Sequence, residues 1–434
     1  FVLFDAGSFQ LIESQFLSNI LDSIPKREKI VVALENISKD TQNEITQLLK
    51  LSSANSITFD EWTDKRERKY LGITIRSFIE GDYSDYFLDL IRLTSEINDS
   101  TVLSNEILKS LLHYQLNIND IISCTTDNCS LMVKTASNLG LWRIPCLCYV
   151  LNLIFQTFVL KLRNKIKPIF ELINSLNESE KYQNFIDRKK EMGIRIKKVP
   201  SYVSTRWTSF CDCLIVLYDT KMYINEFLGI EYLDRKQDNY LHILPNLCKT
   251  YKAIISSYEE DQFGASSFFL PDISIIMQTF SELEGSDFRD AVIDAKRKIK
   301  ELSTTHEYFW NTIASVAVLL NPQIENYNLI LSSDKIKAAK KIIKIKMSKY
   351  SLPNQNPNMN VTDSQSTSQR FERFKKKQDE NGTKKEIQNA PLHRLLEKRD
   401  SKITDLKKYW LDKIGTDDHQ LALVAIEILG MVVK

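Results

Sequence analysis

Three runs with strand character, then helix, strand, helix and strand again, followed by a long stretch of helical periodicity alone, restrict this chain to a mixed α/β core joined to a large all-α region. Ser56 to Phe59 reads as a first strand, Thr63 to Lys69 as a charged turn, and Tyr70 to Ile79 as a second strand, with Ile73 and Ile75 alternating against Thr74 and Arg76. The result is a hairpin whose first strand delivers Asp60 at its end. A short strand is expected at Tyr86 to Leu90 and an amphipathic helix at Ser104 to Leu116. The apolar run Ile121 to Thr125 reads as a buried strand, and Asn128 to Leu139 opens a helix directly behind Asp127. Arg143 to Cys148 is a further strand, leading into an apolar helix from Tyr149 to Leu162.

Asp60 and Asp127 both stand where apolar strands run out. Carboxylates in that position can point into one pocket, and such a pocket suits a hard cation such as Mg²⁺. Asp also favours turns on its own account, and that reading stays beside the first.

Composition excludes several classes. The 434 residues carry 58 Lys+Arg against 56 Asp+Glu, so net charge gives no argument for a nucleic-acid partner, and any basic surface must be local. Basic clusters fall at Lys161 to Lys167, Arg188 to Lys198, Lys296 to Lys300 and Lys335 to Lys349. Each reads either as a phosphate track or as a solvated helix face. Seven cysteines fit reduced thiols better than a disulfide framework, and the Cys146/Cys148 and Cys211/Cys213 pairs lack zinc-finger spacing. No apolar run has the length of a membrane helix, and the start at Phe1 shows no signal-peptide organisation, so a soluble intracellular fragment is expected.

The expected domain order is a helical lead-in at 1–52, the first part of the core at 53–162, an all-α insertion at 163–350, a disordered linker at 351–391 and a C-terminal helical segment at 392–434. The last segment, from His419, reads as one apolar helix without a C-cap.

In order along the chain stand TFDEWTD at Thr58 to Asp64, YLGITIRSF at Tyr70 to Phe78, TTDNCSLMVKT at Thr125 to Thr135, IPCLCYVLNL at Ile144 to Leu153 and STRWTS at Ser204 to Ser209. Weaker echoes are LLNPQ at Leu319 to Gln323 and the segment Tyr409 to Met431. In these motifs the chain resembles the hAT superfamily of cut-and-paste DNA transposases. The resemblance implies an RNase H-like core interrupted by a helical insertion, with a D-D-E site that uses Mg²⁺ or Mn²⁺ to cleave and transfer DNA strands. It implies transposon ends as partner, a homo-oligomer formed through the C-terminal region, and a nuclear location. By position, Asp60 and Asp127 resemble the first two catalytic and metal-binding carboxylates. Trp207 resembles the residue that stacks on a flipped base, with Arg206 beside it for a phosphate, and Cys146 lies near the site. In the absence of the family context, Trp207 between apolar helical residues reads as core rather than as a stacking residue, and Cys146 reads as a small buried hydrophobe.

Two positions depart from the family pattern. Tyr149 stands where its C-x-x-H pair has histidine, and tyrosine does not replace imidazole as a ligand or proton carrier near neutral pH. The third carboxylate is not assigned: Glu427 is the acidic residue of the last helix, but it lies upstream of the expected place and reads equally as a solvated side chain. The alternative function is therefore a non-catalytic remnant serving DNA-associated dimerisation. A nuclease acting on RNA–DNA hybrids would not account for the Thr205 to Trp207 motif or for the long helical insertion.

Overall fold

The computed structural model describes residues 27–93, 99–202, 208–231, 233–260, 263–350 and 390–432. The first part of the expected lead-in, all but the end of the expected linker, and both Arg206 and Trp207 lie outside the described residues. The elements in order are α1 (Arg27–Lys50), β1 (Ala54–Thr63), β2 (Lys69–Ile79), β3 (Asp82–Leu93), α2 (Ser100–His113), β4 (Ile121–Thr126), α3 (Ser130–Leu139), β5 (Trp142–Pro145) and α4 (Leu147–Glu178). Helices alone follow among the described residues: α5 (Glu180–Glu191), α6 (Ser209–Leu228), α7 (Arg235–Glu259), α8 (Ala265–Glu282), α9 (Arg289–Thr305), α10 (Ala314–Leu320), α11 (Tyr327–Ile330), α12 (Ser333–Lys349), α13 (Ala390–Glu397), α14 (Leu406–Leu411) and α15 (His419–Leu429). The class is mixed α/β, with one five-stranded sheet in the order β3-β2-β1-β4-β5. Two compact units are formed, one from the residues up to Ile122 with Asn138–Leu141, the other from Ser123–Ser137 with everything from Trp142 onward.

In the first unit, β1 and β2 pair antiparallel from Ala54↔Phe78 to Thr63↔Lys69. Asp64 closes the turn: its Oδ1 accepts from the amides of Arg66 (2.8 Å) and Arg68 (2.9 Å), and its Oδ2 accepts from Arg68 Nε at 2.7 Å. These bonds, chiefly the one from the Arg68 side chain, hold the Asp64 carboxyl down at about 2. The second turn is Glu80-Gly81, with φ of 51° and 93°, the pair of positive angles that a two-residue hairpin needs. Alternation then decides the faces. Ile57, Phe59, Leu71, Ile73 and Ile75 are fully buried on one face, and α2 packs on this side of β3 through Ser110 Oγ to Asp89 Oδ2 at 2.6 Å and Tyr114 Oη to the Leu88 carbonyl at 3.0 Å. The opposite face carries Asp60 and Trp62. Gly72 lets the Trp62 ring lie down on this face, because a Cβ at Gly72 would stand 2.8 Å from Trp62 Cζ3.

In the second unit, α4 carries a buried stripe from Leu147 to Leu176 and packs most extensively against α9. Its start lies two residues before the sequence expectation, and it runs through Pro168 to Glu178. The C-terminal residues belong to this body. The Gly264 amide donates to the Leu429 carbonyl at 2.8 Å, and Thr125 Oγ1 at the end of β4 donates to the Val432 carbonyl at 2.6 Å. The last helix ends at Leu429 with Gly430 as its C-cap, five residues before the sequence expectation.

The LLNPQ segment becomes a structural knot. Asn321 is buried, donates from Nδ2 to Ser267 Oγ at 2.7 Å, and accepts from the Gln323 amide at 2.9 Å. Arg399 caps the C-terminal carbonyls of α10, donating to Leu319 O at 2.8 Å and to Asn321 O.

Candidate functional site at the ends of the parallel strands

β4 and β5 are parallel, in register from Ser123↔Trp142 to Thr126↔Pro145. Each strand feeds a helix within a few residues: β4 leads through Asp127-Asn128-Cys129 into α3, and β5 leads through Cys146 into α4. Parallel strands leave the backbone groups at their C-terminal ends beside helix N-termini, which is where open α/β sheets place ligands. The Cys146 amide donates to the Thr126 carbonyl at 2.9 Å and ties the two strand ends together.

Asp127 is half-buried, and its Oδ1 accepts from the Cys129 amide at 3.1 Å, an Asx turn that leads into α3. The segment is held from below by Arg143. Its Nε donates to Thr126 Oγ1 at 2.7 Å, and its Nη2 donates to the Asp127 carbonyl at 2.5 Å and to Asn128 Oδ1 at 2.7 Å. Three consecutive residues at the end of β4 thus hang on one planar donor set. Burial pulls the Arg143 guanidinium below its ordinary range. Its Nη1 lies 3.5 Å from Nδ1 of His306.

Burial, with the Arg143 charge in second place, pushes His306 down to about 4, so its imidazole is neutral at pH 7. Nδ1 facing a guanidinium must accept, which assigns the proton to Nε2. His306 Nε2 and Asn128 Nδ2 are buried and have no hydrogen-bond partner among the described residues.

Asp60 is positioned differently from the sequence expectation. It is an exposed residue inside β1, paired with Gly72, and three further residue pairs follow before the turn. The strand continues past it because Trp62 stacks on Tyr70 across the hairpin, with centroids 6.0 Å apart, and Asp64 rather than Asp60 makes the turn. Cys146 is half-buried at the N-cap of α4. Cys211 and Cys213 are buried on α6, the latter donating from Sγ to the Pro200 carbonyl at 2.9 Å.

Glu427 is a buried residue, which removes the reading of it as a solvated side chain. It is ion-paired with buried Lys346 of α12 and accepts from Tyr350 Oη at 2.8 Å. Lys346 Nζ also lies 4.1 Å from the centroid of Trp142. Lys346 and Tyr350 therefore fix Glu427 as half of an internal pair.

Arg143 lay inside an expected strand, but its role was not read from the sequence. The signal was there: a lone arginine heading the apolar run Arg143 to Cys148 needs an acceptor set wherever that run is buried. His306 gave no signal, since its partner is 163 residues away in sequence.

Carboxylate oxygen is the donor type a hard cation takes, and at the end of β4 Asp127 carries one. Donor number does not fit: among the described residues no three of His, Cys, Asp and Glu come together as a set able to hold a metal ion. No step is therefore routed through a metal here. None of the described helices is long and apolar enough to cross a membrane. Compared with known proteins, the chain matches no family model, and no curated protein matches it.

Proposed function

We propose that this chain is a DNA-binding protein derived from a hAT-type transposase, with an RNase H-like core in which Asp60 and Asp127 correspond to the first two carboxylates. The observation that carries the reading is Asp127 itself. It follows the C-terminal end of a parallel strand, its backbone is held by Arg143, and a helix begins three residues later. The strand order β3-β2-β1-β4-β5, with β1 and β2 antiparallel and β4 and β5 parallel, supports the same core. The ordered motifs fall on these elements: TFDEWTD on β1 and its turn, TTDNCSLMVKT across β4 and α3, and IPCLCYVLNL from β5 into α4.

A non-catalytic role is favoured by Tyr149, which occupies the position where the resembled family has histidine. In-line displacement at phosphorus needs its ligands held in register, and an incomplete donor set loses most of that stabilisation.

The test is binding and cleavage of a branched DNA duplex in Mn²⁺ by the chain and by Asp127→Asn. Salt-sensitive binding by both proteins, without strand cleavage, is the expected result. Turnover that disappears in Asp127→Asn would replace the non-catalytic reading with an active enzyme. Absence of duplex binding even at low salt would overturn the proposal as a whole.

A further inference from the structure

One helix carries a net positive charge larger than that of the whole chain. α12, Ser333 to Lys349, holds seven lysines and one aspartate, a net +6, in a chain whose total is +2. The remainder is therefore net −4. Lys346 is spent on Glu427. The other six, Lys335, Lys337, Lys340, Lys341, Lys344 and Lys349, form no ion pair among the described residues. Four lysines on other helices are matched, Lys189 with Glu226, Lys221 with Asp238, Lys252 with Asp212 and Lys296 with Glu284, whereas α12 gathers six unmatched ones on one element. Like charges one turn apart destabilise a helix by a few tenths of a kcal/mol per pair. A surface that leaves six of them unmatched carries a field for something outside the chain.

From this we infer that α12 is a docking surface for the phosphate backbone of duplex DNA. Lys337, Lys341, Lys344 and Lys349 are exposed and extend about 18 Å along the axis at 1.5 Å per residue. Duplex DNA offers a charge about every 1.7 Å over that span. The exposed side of α12 presents no aromatic ring on which an unstacked base would lie, which favours duplex over single strand. Lysine is a point charge without the planar fork that reads base edges, so the contact is to phosphate and independent of sequence. The apolar side of the helix, Ala339, Ile343 and Met347, is buried in packing against α10 and α15, and the exposed Ile345 by itself makes no continuous apolar face to insert into a lipid surface. The inference rests on the reading above for the class of partner, and on α12 alone for the place.

The experiment is fluorescence anisotropy of a labelled duplex of arbitrary sequence, about 30 base pairs long, titrated with the full chain from roughly 50 to 200 mM salt. The variant Lys337→Gln, Lys341→Gln, Lys344→Gln, Lys349→Gln keeps good helix formers in place, and circular dichroism verifies its fold. Each lost phosphate contact lowers the salt slope by about 0.9, so four lost contacts lower the variant's slope by about 3.6 and its affinity at ~100 mM salt by tenfold or more. A control with the exposed Lys29, Lys39, Lys65 and Lys181 changed to Gln carries the same charge loss and keeps the wild-type slope. Equal losses in variant and control, an unchanged variant, or a wild type that binds phosphatidylserine vesicles but not the duplex would each overturn the assignment. A wild type that binds through α12 without cutting leaves this inference intact and bears only on catalysis.

Discussion

Arg143 Nη2 donates to the backbone carbonyl of Asp127 across 2.5 Å and to Asn128 Oδ1, while Nε donates to Thr126 Oγ1, so one side chain sets the path of the chain at the end of β4. Arg143→Met keeps the volume and removes the donors. The carbonyl of Asp127 and the oxygens of Thr126 and Asn128 are then left short of partners, at a cost of about 2–4 kcal/mol in unfolding free energy. Urea denaturation measures it. A loss below about 1 kcal/mol would mean that the turn holds itself without the guanidinium.

One buried and one half-buried group give the chain opposing pH dependences. His306 is pushed down to about 4 from 6.5, so the folded state prefers the neutral ring, and this contribution is present above pH ~6.5 and lost as pH falls towards 4. Asp272 is pushed up to about 6 by burial, although Tyr258 Oη donates to it at 2.6 Å. Its folded state prefers the protonated carboxyl, so that contribution is present below pH ~4 and lost as pH rises through 6. Asp272→Asn is therefore expected to stabilise at pH 7 by about 1–3 kcal/mol, and His306→Gln to flatten the acid limb between pH 6.5 and 4. Denaturation midpoints across that range decide both. An Asp272→Asn protein less stable than wild type at pH 7 would show that the carboxylate is charged and useful there.

Much of the sheet was legible because its signals are local. Alternation around Ile73 and Ile75 and the apolar run Ile121 to Thr125 each need only a few neighbouring residues, and both became strands. Strand ends were harder to place. Asp60 looked terminal because the residues after it are polar, yet the Trp62–Tyr70 pair and the Asp64 turn carry the hairpin further. Glu427 was ambiguous because its partner lies 81 residues away in sequence, although a helix apolar on nearly every side already implied burial. The Arg143–His306 contact spans 163 residues and has no periodicity to announce it. The candidate site was thus readable as Asp127 on a strand end, but not as the network that holds it.

The Lys346–Glu427 pair is expected to behave as a unit. Removing one partner leaves the other charge buried without compensation, so Glu427→Leu or Lys346→Met alone costs about 3–5 kcal/mol, and the double variant recovers much of it. Tyr350 also donates to Glu427, so its hydroxyl loses a partner in any variant without the glutamate. A double-mutant cycle in urea reads the coupling. Single variants within about 0.5 kcal/mol of wild type would show that the pair is solvated in solution.

Gly72 and Trp62 give the last prediction. A methyl group at Gly72 would stand 2.8 Å from Trp62 Cζ3, closer than two carbons approach, so Gly72→Ala must lift the ring from the strand. Trp62 is 43% exposed, so the ring has solvent to move into and the strand need not shift. The lost stacking on Tyr70, worth about 0.5–1.5 kcal/mol, opposes the gain of about 0.5–1 kcal/mol from replacing a mid-strand glycine. Net stability is therefore expected to change by less than about 1 kcal/mol, while Trp62 emission shifts to the red. The same substitution in a Trp62→Phe background tests the origin of that shift, which must then vanish. A loss above about 2 kcal/mol would mean that the ring is held in place and the strand yields instead.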